Sequence, residues 1–416
     1  MIQLPKLPKK SFYRVLTRQM ATQISVIGQG YVGLPLALAI CNAGYSTIGI
    51  DSSVFRISEL QSSKSGIEDI SDNEIATALA SGKYKPTIDY SEIRNSNVIL
   101  ICLPTPLTKN NLPDLSAVES SAKELSKYLQ KDSLVILEST VEPGTTRDFF
   151  VPILEKSSGL SRDNFNVAFS PERIDPLNKN WNIKNTPKIV AGLTEKAKIL
   201  AVDFYSKFID TVVSVDSIEV AETAKLLENS FRLVNISFIN EISIFCEKLG
   251  LEINDVIKAA STKPYGFMPF YPSIGAGGHC IPVDPIYLSN SANRLGVKSR
   301  FIDLASQVNN EMPEHVVRRA EEKLFGLKGK NILVVGVSYK SNVADVRETP
   351  VARLIEGLIN KGANVSWHDD LVKEWNSEKS VTLSSDFDLA IIATPHDYLD
   401  LTKLGNVPIL NTRGST

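Results

Sequence analysis

Cysteine is scarce in this 416-residue chain: the four present, Cys41, Cys102, Cys246 and Cys280, are far apart and form no Cys-x-x-Cys pair. That spacing excludes a zinc cluster or a disulfide scaffold, so no metal is expected. An excess of one charge is also missing. Lys and Arg number 45 against 47 Asp and Glu, a formal charge of −2, with no basic run to release counterions from nucleic acid. Nucleic-acid binding is therefore not expected. No apolar run reaches the ~20 residues that cross a bilayer, and the most apolar window, YVGLPLALAICNAG, is interrupted by Pro35. Residues 1–21 are basic without the apolar core of a secretory leader and read as a solvated N-terminal arm. These absences lead to the expectation of a cytoplasmic protein with no membrane contact.

What is present is periodic apolar sequence. Hydrophobic residues at 43% and charged residues at 22% suit a globular chain with a large core. The length suggests two or three domains at ~100–200 residues each. QISVIGQGYVGLPLALAICNAGYSTIGID reads as a strand, a glycine turn, a helix starting near Tyr31 and a second strand ending in Asp51. The rhythm returns in VILICLP (98–104), LVILEST (134–140), FNVAFSP (165–171) and TVVSVD (211–216). Alternating strands and helices imply a parallel sheet covered on both faces, a doubly wound domain over 22–216. From Ile218 the period becomes helical, with Leu227, Phe231, Val234, Phe238, Ile242 and Phe245 at three- and four-residue steps and Gly250 closing the run. Such a helix, ~30 residues and ~45 Å long, exceeds any sheet crossover and reads as a spine between two domains. A second helical stretch at about 300–325 completes a helical middle, 217–325. KNILVVGVSYK, ANVSWHD, FDLAIIATP and VPILNTRG then give four more strands over 326–416. The fold class is α/β: two Rossmann-like doubly wound domains joined by a long central helix and a helical middle region. The halves do not align as a repeat, because the second lacks the glycine fingerprint.

That fingerprint, Gly28-Gln-Gly30-Tyr-Val-Gly33, follows a strand and opens a helix, with Asp51 eighteen residues past Gly33. Gly28 permits the turn, Gly30 lets backbone approach a pyrophosphate, and Gly33 lets helix and strand pack closely. Asp51 would accept from the adenosine ribose hydroxyls, which favours NAD over its 2′-phosphorylated relative; Arg56, one turn on, is a group that can also accept a phosphate. Thr105 in LPTP, Thr140 in ESTVEPGTT and Glu172 in SPERIDP stand at strand ends, where open sheets bind ligands.

Cys280 lies in GAGGHCIPVDP, a stretch of turns and close backbone approach and not a core segment. The Gly275–Gly278 turn could supply amides that favour a thiolate. His279 either adds a positive charge or is a loop histidine bonded to backbone. Asp284 is four residues on. Lys225 and Asn229 share a face of the long helix, one turn apart and clear of the Leu227/Phe231/Val234 stripe. Lys225 is either solvated surface or, within ETAKLLENSF, partly buried near a reaction centre. With NAD, a reactive cysteine allows an alcohol to be oxidised twice, through a thiohemiacetal and a thioester, to an acid.

With VIGQGYVGLPLA, CLPTP, STVEPGTT, SPERIDP, ETAKLLENSFR, KPYGFMPFYPSIGAGGHCIPVDPIYL and YKSNVADVRETP in order, the chain from about 22 to 416 resembles the nucleotide-sugar 6-dehydrogenases. The resemblance implies Cys280 as nucleophile, Lys225 and Asn229 on the oxyanion, and Glu172, Asp284 and Thr140 handling water and protons. It implies NAD on Gly28, Gly30, Tyr31, Val32, Gly33, Asp51, Arg56, Thr105, Thr140 and Arg347. A UDP-sugar would meet Glu172, Arg173, Lys225, Asn229, Tyr271, Gly277 and Lys340, with the nucleotide on the C-terminal domain. GFMPFYP and GGHCIPVDP look closest to the UDP-N-acetylglucosamine 6-dehydrogenases, which serve surface polysaccharide synthesis; UDP-N-acetylmannosamine is the near alternative. UDP-glucose enzymes usually carry an acidic residue where this chain has Pro176, and YPSIGAGG lacks the usual Pro-Gly pair. Members pair through the central helix, so a homodimer is expected, although intramolecular packing would also explain Phe231 and Phe238. Outside this class stand a two-electron hydroxyacid dehydrogenase, which would not need Cys280, and a non-catalytic nucleotide-sugar sensor.

Overall fold

A computed structural model describes residues 23–175, 177–178 and 180–414. The N-terminal arm over 1–21 and Pro176 lie outside the described residues. The chain forms two compact units, Met1–Leu226 and Leu227–Thr416.

The first unit is built on an eight-stranded sheet of order β3-β2-β1-β4-β5-β6-β7-β8. Its strands are β1 (Gln23–Ile27), β2 (Ser46–Ile50), β3 (Tyr84–Thr87), β4 (Val98–Ile101), β5 (Leu134–Leu137), β6 (Asn166–Phe169), β7 (Lys188–Gly192) and β8 (Val212–Ser214). In β4, β5 and β6 every residue is buried, as a strand covered on both faces requires. The pleat divides them between two cores. Val26, Leu100 and Ile136 pack with the helix Gly33–Asn42, whereas Ile27, Ile101 and Leu137 pack with the helices Ser116–Ser126 and Val151–Ser158.

The expected parallel sheet is parallel except at one pair: β7 runs antiparallel to β6. No helix spans the described part of 170–187, and without a crossover helix the returning chain can only run back alongside its neighbour.

In the second unit, the helices Ile253–Ala260, Asp284–Arg294 and Arg300–Leu324 precede a four-stranded parallel sheet of order β10-β9-β13-β14. Its strands are β9 (Asn331–Val335), β10 (Asn364–His368), β13 (Leu389–Ile392) and β14 (Ile409–Asn411), with a small hairpin, β11 (Glu374–Trp375) and β12 (Glu378–Lys379), between them. One face is covered by the helices Arg300–Leu324 and Val351–Asn360. The other is closed by loops and a short 3-10 turn, Leu401–Leu404, where a doubly wound domain would place helices.

No sequence repeat was expected between the two sheets, yet the backbone repeats. Gly28 N donates to Ile50 O at 2.8 Å, and Gly336 N donates to His368 O at 2.8 Å. Each strand-end acid then accepts from the residue after the glycine: Asp51 from Gln29 N at 2.8 Å, Asp369 from Val337 N at 3.0 Å. Both glycines have positive φ and press on a carbonyl, of Cys102 and Thr394 respectively.

The long helix spans Ile218–Leu249, where the period placed it. Its buried face is not the aromatic stripe. Phe231, Phe238 and Phe245 are 46%, 59% and 59% exposed, while Glu222, Lys225, Asn229, Ser237 and Asn240 are buried. Burial of so polar a face is offset in part by local partners: Ser237 donates to Ala305 O at 2.7 Å and Asn240 Oδ1 accepts from Ser273 N at 2.8 Å, while Asn240 Nδ2 and Ser230 Oγ have no partner among the described residues.

Candidate functional site

The fingerprint loop sits at the point in the first sheet where strand order reverses, between β1 and β4. A Cβ at Gly33 would fall 1.8 Å from Gly28 O, and one at Gly28 2.4 Å from Cys102 O, so neither position accepts a side chain. A Cβ at Gly30 meets nothing within 4 Å, which leaves room beside its backbone for a pyrophosphate. Val32 precedes the helix Gly33–Asn42, whose positive end faces that room. The Tyr31 hydroxyl donates to Glu68 at 3.0 Å.

Asp51 is held at both oxygens, by Gln29 N at 2.8 Å and Ser53 N at 2.9 Å. Arg56 Nε donates to Gln29 O at 2.8 Å and Nη1 to Ser65 O. Two of its nitrogens are thus on carbonyls and shape the loop. Its Nη2 is buried with no hydrogen-bond partner among the described residues, a donor placed beside the loop for a ligand to satisfy. These features fit an adenosine ribose and diphosphate. Thr105 and Thr140, from the ends of β4 and β5, are brought together: Thr105 Oγ1 donates to Thr140 O at 2.7 Å.

Glu172 follows β6, with Oε1 accepting from Arg173 N at 2.6 Å and Ile174 N at 2.5 Å. The Arg173 guanidinium donates to Pro187 O at 2.8 Å. Beside Glu172 lies buried Lys188, a residue the sequence pattern did not single out. Lys225 is buried on the long helix.

In the second unit, Cys280 is exposed, whereas Cys41, Cys102 and Cys246 are buried. Burial pushes the Cys41 and Cys102 thiols above their ordinary range, which leaves Cys280 as the reachable sulfur. Its carbonyl accepts from Asp284 N at 2.9 Å, closing a turn into the helix Asp284–Arg294. Asp284 is buried, and its Oδ2 accepts from Asn229 Nδ2 at 2.5 Å. Asn229 is thus tied to the first residue of the helix that follows the Cys280 turn.

The other residues of the cysteine loop have different surroundings. Partial desolvation and the Arg347 guanidinium both lower the His279 pKa, so the imidazole is neutral and adds no charge beside the thiol. The glycines serve packing. A Cβ at Gly277 would fall 2.7 Å from Glu348 O, and one at Gly278 2.8 Å from the Tyr339 ring. Tyr271 is exposed.

Lys340 lies in the loop after β9, where the order of the second sheet reverses between β9 and β13. Ser338 Oγ donates to Lys340 O at 2.9 Å, and Thr394 Oγ1 to Ser338 O at 2.7 Å. Arg347 is forked onto Asp345, with N···O distances of 2.6 to 3.0 Å. Burial would raise the Asp345 carboxyl, but the hydrogen bonds from Arg347 outweigh it and hold it low. Asp369 stands where Asp51 stands in the first unit, yet it is fully buried against His396 at 3.1 Å. The ribose position of a second dinucleotide site is therefore filled by protein.

Among the described residues no helix is long and apolar enough to cross a membrane. Residues 22–209, 219–311 and 333–411 match, in order, the NAD binding, central and UDP binding domains of the UDP-glucose/GDP-mannose dehydrogenase family. Protein CapL of Staphylococcus aureus is 34% identical over 398 residues, 92% of each chain. The UDP-N-acetyl-D-glucosamine 6-dehydrogenase of Pseudomonas aeruginosa is 34% identical over 356 residues, 84% of this chain and 83% of that one. The solved structure of a UDP-D-ManNAc dehydrogenase from Pyrococcus horikoshii superposes with a TM-score of 0.85 at 30% identity, covering 94% of this chain and 95% of that one. A single NAD-type loop in the first unit, a protein-filled counterpart in the second, one accessible cysteine and three family domains in sequence lead to one conclusion: the chain belongs to the UDP-glucose/GDP-mannose dehydrogenase family and is an NAD-dependent nucleotide-sugar dehydrogenase.

Proposed function

We propose that this protein oxidises C6 of a UDP-N-acetylhexosamine, UDP-N-acetylglucosamine in the first place, by four electrons to the uronic acid through a thioester on Cys280. The observation that carries this reading is the cluster in which an exposed cysteine turns into a helix whose first residue, Asp284, is anchored by Asn229. A helix N-terminus within one turn of the sulfur favours a thiolate.

Bound NAD supplies the hydride acceptor, one molecule for each of the two oxidations. In the first, the C6 alcohol becomes an aldehyde, and its hydroxyl proton passes to a base. The Cys280 thiolate then adds to the aldehyde carbon, and the alkoxide formed is stabilised by Lys225 and Asn229. Loss of a second hydride from this thiohemiacetal leaves a thioester. Glu172 takes a proton from water, water attacks the carbonyl, and the thiolate departs as the acid forms. Asp284 and Thr140 assist these proton transfers. Two NAD and one water are consumed per sugar.

In this scheme 22–216 holds NAD, 217–325 supplies the cysteine and the pairing surface, and 326–416 holds UDP through the Lys340 loop, with Gly277, Arg173 and Tyr271 toward the sugar. Arg347 completes the NAD site. The exposed Phe231, Phe238 and Phe245 support a homodimer through the long helix; light scattering that gives a monomer at micromolar concentration would refute it. The scheme places the enzyme in the cytoplasm, serving surface polysaccharide synthesis. UDP-N-acetylmannosamine is the second reading, favoured by the name of the Pyrococcus horikoshii relative. An NADH-coupled screen of UDP-N-acetylglucosamine, UDP-N-acetylmannosamine, UDP-glucose and UDP-galactose tests the choice, and dominant turnover of UDP-glucose would overturn it.

A further inference from the structure

The reaction scheme uses one carboxylate at the far edge of the first sheet, yet that carboxylate belongs to a buried group of charges. Because β7 is antiparallel, its first residue, Lys188, lies at the edge where β4, β5 and β6 end. The β6/β7 register pairs Ala168 with Gly192 and Phe169 with Ala191. Continued by three residues, it sets Glu172 across from Lys188. The Ser170 hydroxyl, bonded to Ile189 O at 2.7 Å, fastens the two segments between these positions.

The Lys188 ammonium donates to Glu138 at 2.6 Å and to Glu172 Oε2 at 3.4 Å. Glu138, at the end of β5, accepts from the Tyr205 hydroxyl through its other oxygen. The Tyr205 ring, from the helix Glu195–Tyr205, lies 5.4 Å from the ammonium. Cys102, after β4, and Tyr205 are both kept protonated, by burial first and by Glu138 next. Glu172 is thus fixed at both oxygens, by two amides at one and by an ammonium at the other. A small cleft of about 10 Å³ opens beside it, lined by Lys188, Arg173 and Thr186 among others.

A buried ion pair is rarely the cheapest way to fill a core, since apolar residues of equal volume serve stability as well or better. Here the cation separates two carboxylates. Without it, Glu138 and Glu172 would repel each other, and the proton that relieved the repulsion would be shared between them. We propose that Lys188 is a positioning residue for Glu172: braced on Glu138, it holds the Glu172 carboxylate turned to receive a proton from the water that cleaves the thioester.

This inference rests on the proposed role of Glu172, and the test separates the two. The full chain and its Lys188→Met, Lys188→Arg and Glu138→Gln variants are assayed for NADH production from UDP-N-acetylglucosamine across pH 5–9. Each is also acid-quenched during turnover and the Cys280 peptide weighed. Lys188→Met should lower kcat about 10- to 100-fold, move the acid limb to higher pH, leave KM for NAD within about twofold and accumulate the sugar adduct on Cys280. Lys188→Arg should recover much of the rate. Glu138→Gln, in which the lysine turns wholly to Glu172, should move the acid limb to lower pH. The opposite signs of the last shift and the Lys188→Met shift are not produced by a merely structural cation. If Lys188→Met does not fold, the direction of the Glu138→Gln limb decides. An adduct in the wild type with unmoved acid limbs in the variants overturns the role of Lys188 alone; no adduct in the wild type overturns the thioester reading and this inference with it.

Discussion

The Asn229 amide donates to Asp284 Oδ2 at 2.5 Å, tying the long helix to the first residue of the helix that follows Cys280. Both side chains are buried. Asn229→Leu keeps the volume and removes the donor from a carboxylate. We predict a loss of about 1–3 kcal/mol in chemical denaturation and a drop in kcat of roughly 10²-fold as one oxyanion donor is lost. An unchanged denaturation midpoint would show that the bond does not hold the cluster.

Glu222, on the buried face of the long helix, grips the turn after β5: it accepts from Gly144 N at 2.6 Å, from Thr146 N at 2.9 Å and from the Thr146 hydroxyl at 2.6 Å. Burial outweighs these donors and raises its pKa from 4.5 to about 7. When Glu222 is protonated, the Thr146 hydroxyl can reverse and accept. Between those two pH values the folded state binds more protons than the unfolded one, so this carboxyl's stabilising contribution is full below pH 4.5 and lost as pH rises through 7. The loss amounts to about 3 kcal/mol. Urea denaturation from pH 5 to 8 should show this decline in the wild type and not in Glu222→Gln. Parallel profiles for the two proteins would contradict it.

Asp51 braces Gln29 and Ser53, and in the proposed scheme it also receives the ribose. Asp51→Ala should raise KM for NAD by about 10- to 100-fold, roughly 1.4–2.8 kcal/mol, and narrow the gap between NAD and its 2′-phosphorylated relative. Steady-state kinetics with both cofactors measures this. A KM within twofold of the wild type would mean that the ribose is held elsewhere.

Where a residue's role is imposed by local geometry, the sequence displays it. Gly28 and Gly33 are fixed by contacts that leave no room for a Cβ, and the long helix announces itself through its period. Its aromatic stripe faces out at Phe231 and Phe238, and the polar residues that face in meet partners on other segments, which the period does not show. β3 contains Pro86 and lies at the sheet edge, so its pattern does not read as a strand. The second sheet repeats the first at Gly336 and Asp369, but with the other two glycines absent only the backbone reveals it. Lys188 opens a short run, KIVAG, and there a lysine looks solvated. Its place across from Glu172 follows from an antiparallel return that no local signal encodes.

The central claim is a carbon–sulfur bond between the sugar and Cys280. Purified protein supplied with NAD and UDP-N-acetylglucosamine, quenched in acid during turnover and digested, reports it through the mass of the peptide that carries this residue. The account predicts a fraction heavier by one UDP-uronyl group, absent from Cys280→Ser. Sustained NADH production with that peptide always at its unmodified mass would contradict it.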